Sequence, residues 1–523
     1  MKKKIYNWHR TISLIVAIPV MLWAASGIMH PLMTTIRPSV TTQQLTPVVI
    51  DGGKFMVSYQ QALQQNSIDS IHDMRMVHIG SYWFYQVQTD IGVVPVYLSA
   101  WDGKLLKDGD ALYAKHLAGL FLNGEPVQRQ AAVLEAEEIS SPSHDCCQAA
   151  SRLIQRGNQI TEAMGAEKVS AFNDEYGDIN KILPVYKVGF KREDGIRIYV
   201  ETTQDRFVYA VDDKRAAFDK LFALFHTWEW ADKLGNLKRY AMAFILLLTL
   251  LTTLAGMYVF FTTRSIRRPA NERLRWRLNH RWVSITASFF TIMFAFSGAY
   301  HTLVKTVPDD RYRYFNRQMI PAGSLDLNLD SLIEKHAGSI VGFSIVKMND
   351  SVYWRTTHKS QGPDEKTQST DKKSWGKNAL VKMPQIMMTG DDHQQLLEDG
   401  EKIYARHLAD LFRNKNDGKV IATEPITRFE GEYGFVNKRL PVWKIQYDGA
   451  DQPRCYVETS TGKMAARITQ KDIPEGVSFS MLHKHHFMDF AGKPARDFST
   501  IFWAAMQIAM IVVGLVYYLK RKS

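Results

Sequence analysis

The sequence predicts a membrane protein with four transmembrane α-helices, arranged as two tandem repeats that each carry an α+β extracytoplasmic domain. Three observations predict this fold class. Four apolar runs are long enough to cross a bilayer, large polar regions follow the first and third runs, and short blocks of the first half recur in the second. A mean hydropathy of −0.22 is too polar for a chain that lies mostly in lipid, so we expect much of it to be soluble.

Basic residues indicate the orientation of the four runs. They cluster at the N-terminus, in the short middle loop and after the last run, namely at Lys2, Lys3, Lys4, Arg264, Arg267, Arg268, Arg273, Arg275, Arg277, Lys520, Arg521 and Lys522. The positive-inside rule places these three segments in the cytoplasm and both polar regions outside, which is the periplasm in a bacterium with two membranes. We therefore expect a multi-pass inner-membrane protein with both termini inside. Much of the net charge of +12 is used at these helix ends, so we expect the lipid bilayer and not nucleic acid as a partner.

The predicted segments follow from these runs. In chain order they are a cytoplasmic N-terminus with the first span at 1–33, an extracytoplasmic domain at 34–239, the second span at 240–263, a basic cytoplasmic loop at 264–280, the third span at 281–303, a second extracytoplasmic domain at 304–498, the fourth span at 499–519 and a cytoplasmic tail at 520–523.

Two histidine pairs recur in the first and third spans. Asn7-Trp8-His9-Arg10 is followed by a Ser-Gly-x-x-His end at His30, and Asn279-His280-Arg281-Trp282 is followed by the same end at His301. The shift between copies is 271 for both histidines (280 − 9 and 301 − 30). Each pair is 21 residues apart (30 − 9), which is about 32 Å along a helix and close to the thickness of the bilayer core. One imidazole is therefore expected near each membrane face in each copy.

The polar regions also contain recurring blocks. Tyr113–Phe121 matches Tyr404–Phe412 at a shift of 291, and Tyr199–Thr202 matches Tyr456–Thr459 at a shift of 257, so the first region has 34 extra residues (291 − 257). Alternating apolar residues predict strands, and helical spacing predicts a helix. The predicted strands include Tyr82–Gln88, Val94–Leu98, Val185–Phe190 and Arg197–Thr202, the predicted helix is Leu112–Phe121, and a surface loop is predicted at Lys359–Lys377.

Cysteine usage gives a weaker signal. The extra residues include the adjacent Cys146 and Cys147, and the third cysteine is Cys455. This spacing fits neither a zinc motif nor a disulfide framework, so a structural or incidental role is favoured. A redox role for the adjacent pair stays open, because the expected compartment permits one.

This order of spans and domains, with its Ser-Gly-x-x-His ends and Tyr-Val-Glu-Thr strands, resembles the PepSY-associated transmembrane family over nearly the whole chain. Within the family it is similar to iron-regulated inner-membrane members that include siderophore reductases. The resemblance implies PepSY-like outer domains and haem b in the membrane, two groups per chain. It also implies electron transfer to a ferric siderophore or another ferric chelate on the outer side, for iron acquisition.

The histidines are the candidate haem ligands. Ionisable side chains in spans are usually functional, and imidazole is a common axial ligand of haem iron. For His9 and His280 alone, a head-group position beside the interfacial tryptophans would suffice, but four histidines at duplicated positions favour ligation. His226 and His483 precede the second and fourth spans and are further candidates. The pairing is open: His9 with His280 and His30 with His301, or the last two with His226 and His483.

Two further histidines lie in the polar regions. His116 and His407 are second-rank candidates, since a hydrogen-bonded structural role is the favoured interpretation for a histidine in a soluble core. With Tyr113 and Tyr404 they are also candidates for a surface on which a ferric chelate docks.

The electron donor is constrained by what the sequence lacks. The middle loop is too short for a nicotinamide or flavin domain, and no Gly-x-Gly-x-x-Gly motif follows a strand. A reductase of this kind needs electrons from a quinol in the bilayer or from another membrane reductase. The alternatives are a non-enzymatic binding or regulatory membrane protein, or a transporter whose histidines line a cation path. An absorption spectrum separates the first hypothesis from the other two.

Overall fold

A computed structural model of the chain describes residues 2–33, 35–50, 56–80, 82–90, 93–124, 146–264, 269, 271–307, 314–336, 338–359, 383–391, 395–414 and 417–520. Several sequence-based expectations concern residues outside these ranges. They are the loop at Lys359–Lys377 apart from Lys359 itself, the inserted residues 143–145, Arg267 and Arg268 of the basic loop, and Arg521 and Lys522 of the tail.

The described α-helices are, in chain order, α1 (Lys2–Leu32), α2 (Tyr59–Gln65), α3 (Gly109–Asn123), α4 (Cys146–Thr161), α5 (Asp213–Phe222), α6 (Asn236–Thr262), α7 (Glu272–Val304), α8 (Leu329–Lys335), α9 (Gly400–Phe412), α10 (Ile473–Ser478) and α11 (Gly492–Leu519).

The described strands of the first polar region are β1 (Ser70–Ile71), β2 (Asp73–Ile79), β3 (Tyr82–Gln88), β4 (Val96–Ser99), β5 (Ala163–Val169), β6 (Val185–Phe190), β7 (Arg197–Glu201) and β8 (Arg206–Val211). Those of the second are β9 (Ile320–Pro321), β10 (Ile340–Met348), β11 (Ser351–His358), β12 (Gln385–Gly390), β13 (Val420–Ile426), β14 (Val442–Tyr447), β15 (Arg454–Glu458) and β16 (Lys463–Ile468).

The chain divides into two compact units, which are described separately. The helical unit comprises Met1–Arg37, Lys214–Asp309 and Gln470–Ser523. The sheet unit comprises Pro38–Asp213 and Asp310–Thr469.

Four long helices form the helical unit as a closed ring. Each packs against two neighbours in the cyclic order α1, α6, α7, α11. All four are long and apolar enough to cross a membrane, which confirms four candidate spans. Large apolar side chains such as Ile18, Phe261 and Phe289 are exposed on the helices, as expected for surfaces that face lipid. The Asn271 side chain caps α7 by accepting a hydrogen bond from the Leu274 N–H at 2.9 Å.

A six-stranded sheet in the sheet unit joins the two polar regions. Its strand order is β12-β11-β10-β2-β3-β4, with β2 and β10 antiparallel and Arg75 opposite Ser344. Three strands from each region thus share one sheet, and the two segments fold as one compact unit. The strand-rich repeat could not indicate this, because a sequence does not reveal which edge strands pair to satisfy their backbone groups.

Two four-stranded antiparallel sheets complete the sheet unit. Their orders are β5-β6-β7-β8 and β13-β14-β15-β16. Helix α3 packs against the first sheet, where Phe121 lies in a core with Val188 and Ile198. Helix α9 packs against the second through Phe412 and Ile445. The predicted strands and the predicted helix of the first region are confirmed, and the unit is α+β.

Candidate functional site

All six first-rank histidines lie in the helical unit. His9 and His30 are on α1, and His280 and His301 are on α7, which occupies the opposite position in the ring of four helices. His226 and His483 lie in two short π-helical turns, Ala223–Thr227 and Phe479–His483. Such turns are rare in proteins and occur frequently at functional sites.

His9 and His280, the inner histidines, each pack against a glycine of a neighbouring helix. A Cβ atom at Gly256 of α6 would lie 2.9 Å from His9 Cε1, and one at Gly514 of α11 would lie 3.0 Å from His280 Cε1. The missing side chains therefore leave the space that these two imidazoles occupy. His280 also stacks on Tyr517, with ring centroids 6.3 Å apart.

Hydrogen bonds fix the tautomer of His9. Its Nδ1 lies 2.9 Å from the Thr252 carbonyl oxygen and 3.2 Å from the Thr252 hydroxyl. A carbonyl oxygen only accepts, so Nδ1 carries the proton in this contact and Nε2 of the neutral ring keeps its lone pair. This is the arrangement of a histidine that binds a metal through Nε2.

Serine hydroxyls lie within hydrogen-bond distance of Nδ1 in His226 and His483. Ser26 Oγ lies 3.0 Å from His226 Nδ1 and donates to the Leu22 carbonyl at 2.8 Å. Ser297 Oγ lies 3.2 Å from His483 Nδ1 and donates to the Met293 carbonyl at 2.7 Å. Each hydroxyl can give its one proton to the carbonyl and accept a hydrogen bond from the imidazole; with that tautomer Nδ1 is the donor and Nε2 keeps its lone pair.

His30, His226, His301 and His483, the outer histidines, are gathered around two phenylalanines. The rings of His226 and His483 are 6.2 Å apart and inclined by 74°. Phe222 stacks on His226 at 4.6 Å and lies 5.9 Å from His30. Phe479, which matches Phe222 at the 257-residue shift, stacks on His301 at 4.0 Å and on His483 at 4.8 Å.

The electrostatics of the outer group favour neutral imidazoles. Burial lowers the pKa of His226 to about 4. Burial also places the pKa of His483 well below its ordinary value, and the charges that His226, His30 and His301 can carry lower it further. Both rings are therefore unprotonated near neutral pH, which is the state in which imidazole binds a metal.

Two features beside the outer histidines differ between the halves. His301 Nδ1 is hydrogen-bonded to the Glu475 carboxylate, whereas the matched position in the first half is Phe218 (218 + 257 = 475). A Cβ at Gly27 would meet no atom within 4 Å, whereas one at Gly298 would lie 3.4 Å from Leu246 Cδ1. Among the described residues, the space beside Gly27 is therefore open and suits a flat group.

The second-rank candidates lie in the sheet unit and form no docking surface. Tyr113 and Tyr404 are each 2 % exposed and His116 is 3 % exposed, so the sequence-based expectation of an exposed contact surface is wrong for these three residues. Tyr113 is held inside by a 2.7 Å hydrogen bond that its hydroxyl donates to Asp205. His407 is half-buried, and burial lowers its pKa. Helical spacing alone did not indicate that these side chains of α3 and α9 would be buried as well.

The three cysteines are buried and form no disulfide with one another. The pKa of Cys146 is lowered, chiefly by a hydrogen bond with Cys147. Cys455 lies in β15, where burial raises its pKa to about 12 and leaves it unreactive near neutral pH.

Several residues of the site did not stand out in the sequence. Thr252, Glu475, Gly256 and Gly514 contact the histidines from helices or turns distant in the chain. The two glycines are 258 residues apart (514 − 256), one more than the 257-residue shift of the flanking blocks, so the repeat did not align them. Ser26 and its counterpart did belong to the recurring Ser-Gly-x-x-His ends, which was the available signal.

Comparisons with known proteins identify the family of this chain. No curated protein matches the sequence. A family model, the PepSY-associated TM region, matches residues 123–521, which is 399 residues (521 − 123 + 1) of the 523. The matched region includes four of the six first-rank histidines and three of the four candidate spans. The expected resemblance is confirmed, and the chain belongs to the PepSY-associated transmembrane family.

Proposed function

We propose that this protein is a haem-containing electron carrier of the inner membrane that reduces a ferric chelate on the periplasmic side, such as a ferric siderophore, for iron acquisition. One observation carries the proposal: Nδ1 of His9, His226 and His483 lies in each case within hydrogen-bond distance of a threonine or serine oxygen, which leaves Nε2 for iron. Membrane bundles hold haem between histidines on facing helices, and these residues lie in such a bundle.

The inner site consists of His9 and His280. They lie on opposite helices of the ring, each against a glycine, and both are only half-buried although the helices around them are packed. Thr252 fixes one ring through its carbonyl and Ser284 lies 3.2 Å from Nδ1 of the other. This supports one haem b between the two rings.

The outer site consists of His226 and His483, with His30 and His301 beside them. Each of these two imidazoles would hold the iron of the outer haem through Nε2. The two rings lie 6.2 Å apart and are inclined by 74°, which supports this pair as the ligands of one iron. In the predicted alternative, each of them pairs with the histidine of its own half, which would give two outer iron sites.

The chain's own residues position the ligands and set their basicity. When bound, haem iron with two histidine ligands exchanges one electron between the ferric and ferrous states. Serine and threonine oxygens hold the Nδ1 protons and so orient each ring, and the Glu475 carboxylate makes His301 more electron-rich. Phe222 and Phe479 keep water from the outer rings.

The substrate and the donor follow from the same arrangement. Reduction of Fe(III) to Fe(II) weakens its binding by hard oxygen ligands, which releases the metal from a siderophore-type chelate. The loop at 264–280 is too short for a nucleotide domain, so the donor is a quinol or another membrane reductase.

The PepSY-like domains are proposed to be periplasmic and both termini cytoplasmic. Reporter fusions after Val48 and Gly323 should both report the outer side, and a cytoplasmic signal from either refutes this orientation.

The haem proposal is tested by spectra of the purified protein. We expect a bis-histidine haem b spectrum and two haems per chain. The double variant His9→Ala, His280→Ala should lose one haem, and His226→Ala, His483→Ala should lose the other. Full haem content in either double variant refutes the corresponding site. A folded protein purified without any haem refutes the whole proposal and leaves the non-enzymatic binding or regulatory role.

The reductase proposal is tested separately. Chemically reduced protein is mixed under anaerobic conditions with a ferric siderophore and an Fe(II) indicator. We expect reoxidation of the protein and one indicator complex per electron, with no reaction in a protein that lacks both histidine pairs. A haem protein that is not reoxidised by the chelate refutes iron as the acceptor while leaving electron transfer intact.

A further inference from the structure

Two thiols and one carboxylate meet in the sheet unit, which contains none of the six first-rank histidines. Cys146 and Cys147 are the first two residues of α4, and Asp102 lies in the turn that follows β4. The two sulfur atoms and a carboxylate oxygen all lie within 4.8 Å of one another. The residues are 44 positions apart in the sequence (146 − 102), which is why cysteine spacing alone did not indicate a site.

The two thiols of the cluster are buried, and the carboxylate is partly exposed. Cys146 is 5 % exposed and Cys147 is 8 % exposed, whereas the Asp102 side chain is 17 % exposed. Cys146 Sγ lies 3.8 Å from Asp102 Oδ1 and contacts Ser99 Oγ, and Cys147 Sγ lies 3.3 Å from the Lys104 carbonyl oxygen. The carboxylate is therefore the most exposed of the three groups.

The turn that carries Asp102 is rigidly built. The Ser99 hydroxyl accepts hydrogen bonds from the backbone N–H groups of Trp101 at 3.2 Å and Asp102 at 3.1 Å. Gly103 follows with a φ of +73°, and a Cβ there would lie 1.9 Å from Gln65 Oε1, so any other residue would strain the backbone and displace Gln65. The carboxylate is thus held beside the thiols before any ligand arrives, which lowers the entropy lost on binding.

The chemistry of the three groups selects the ligand. Thiolates favour zinc-type and softer cations over Mg²⁺ or Ca²⁺, which prefer oxygen. Zinc binds sulfur at about 2.3 Å in tetrahedral geometry, which separates two ligand atoms by about 3.8 Å. The observed limit of 4.8 Å needs only small side-chain rotations to reach that value.

We propose that Asp102, Cys146 and Cys147 form a binding site for one zinc-type divalent cation, with water in the fourth position. On binding, each thiol releases one proton, so one cation displaces two protons and no electron is transferred. Lys104 Nζ, 3.4 Å from Asp102 Oδ2, stays beside the carboxylate and balances part of the negative charge when the site is empty. The site is independent of the proposed haem sites, because none of its residues belongs to the helical unit.

The test uses the full-length purified protein after removal of metal with a chelator. Zn²⁺ is titrated calorimetrically in two buffers of different ionisation enthalpy, which counts released protons. Thiol alkylation with and without Zn²⁺ is then mapped by mass spectrometry. We expect one saturable site, two protons released, and protection of Cys146 and Cys147 from alkylation. Cys455 serves as an internal reference whose alkylation does not respond to Zn²⁺.

Three variants make the result decisive. Cys146→Ser with Cys147→Ser should abolish the site, Asp102→Asn should weaken it about 10- to 100-fold, and Cys455→Ser should leave it unchanged. Haem content should be the same in all of them. If the double serine variant does not fold, the partly exposed Asp102 decides: unchanged Zn²⁺ affinity in a folded Asp102→Asn protein overturns the proposal. So does the absence of saturable binding in the unaltered chain, or a Cys455→Ser variant that loses it.

Discussion

Replacing Gly256 by alanine should weaken haem binding at the inner site by displacing His9. The added Cβ would lie 2.9 Å from His9 Cε1 and 3.4 Å from Nδ1, whereas carbon atoms in contact are ordinarily about 3.5 to 4.0 Å apart. The imidazole must then move by roughly 0.5 to 1 Å, which stretches its 2.9 Å bond to the Thr252 carbonyl. Overpacking of this kind costs about 1 to 3 kcal/mol.

That cost converts to an affinity. A loss of 1 to 3 kcal/mol corresponds to haem binding that is about 5- to 150-fold weaker. The effect on unfolding should be smaller, because alanine in a helix is intrinsically about 1 kcal/mol more favourable than glycine and offsets part of the strain. Haem is titrated into apo protein that carries His226→Ala and His483→Ala, so that only the inner site is measured.

Two controls separate the clash from a general effect of the substitution. Gly27→Ala is the same change in a spanning helix with no atom within 4 Å, and it should leave the inner-site affinity unchanged. In apo protein that carries His9→Ala, the Gly256→Ala change should no longer destabilise the fold, since the ring it strikes is gone. Affinity within about twofold of the parent, or an equal destabilisation with and without the His9 ring, would refute the reasoning.

Three other substitutions test electrostatic contacts. Glu475→Gln removes a negative charge from His301 and should raise the outer midpoint potential by on the order of 50 mV in a redox titration. Glu458 is buried with its pKa lowered to about 2 by neighbouring arginines, so its contribution to stability is complete above about pH 4.5 and is lost as the pH falls towards 2. Glu458→Gln should destabilise the sheet unit by about 3 to 5 kcal/mol at pH 7 and flatten that acid dependence, as measured by denaturant unfolding. Asp205→Asn leaves the Arg75 guanidinium with a weaker partner and should lower the unfolding free energy by a similar amount, with unchanged haem content as the control.

The elements of the fold could be predicted where one local pattern decides the structure. Spans follow from length and hydropathy, and β3, β6, β7 and α3 follow from periodicity and residue type. The six-stranded sheet could not be predicted, because its central pair joins strands that are more than 250 residues apart and touch at a single register, Arg75 opposite Ser344. Nothing local in either strand encodes its partner.

The candidate site likewise contains residues that could be predicted from the sequence and residues that could not. The histidines could be selected because a repeated ionisable residue at a membrane edge is informative by itself. Their supporting contacts could not, since Gly256 and Thr252 are unremarkable residues of an apolar helix until His9 is placed against them. The tyrosines of α3 and α9 show the opposite error: they are candidates for a docking surface from the sequence, but both are buried, and a hydrogen bond to Asp205 holds Tyr113 inside.

The halves of the bundle match in their histidines but differ around them. At positions related by the two shifts, Trp23 stacks on Trp228 at 5.2 Å, whereas Phe294 stacks on His485 at 5.1 Å. His485 is fully buried and its Nδ1 lies 3.0 Å from Ser499 Oγ. Two separate outer haems, one in each half, would therefore have different surroundings and different potentials.

This asymmetry allows Glu475 to distinguish the two pairings of the outer histidines. If His226 and His483 hold one iron, removing the carboxylate beside His301 changes the field at that single centre, and the whole outer transition moves. If each half holds its own iron, with His30 beside one and His301 beside the other, two outer transitions exist and Glu475→Gln moves only the one in the second half. The number of haems per chain distinguishes the two pairings independently. A shared outer iron gives two haems per chain, including the inner one, whereas two separate outer irons give three.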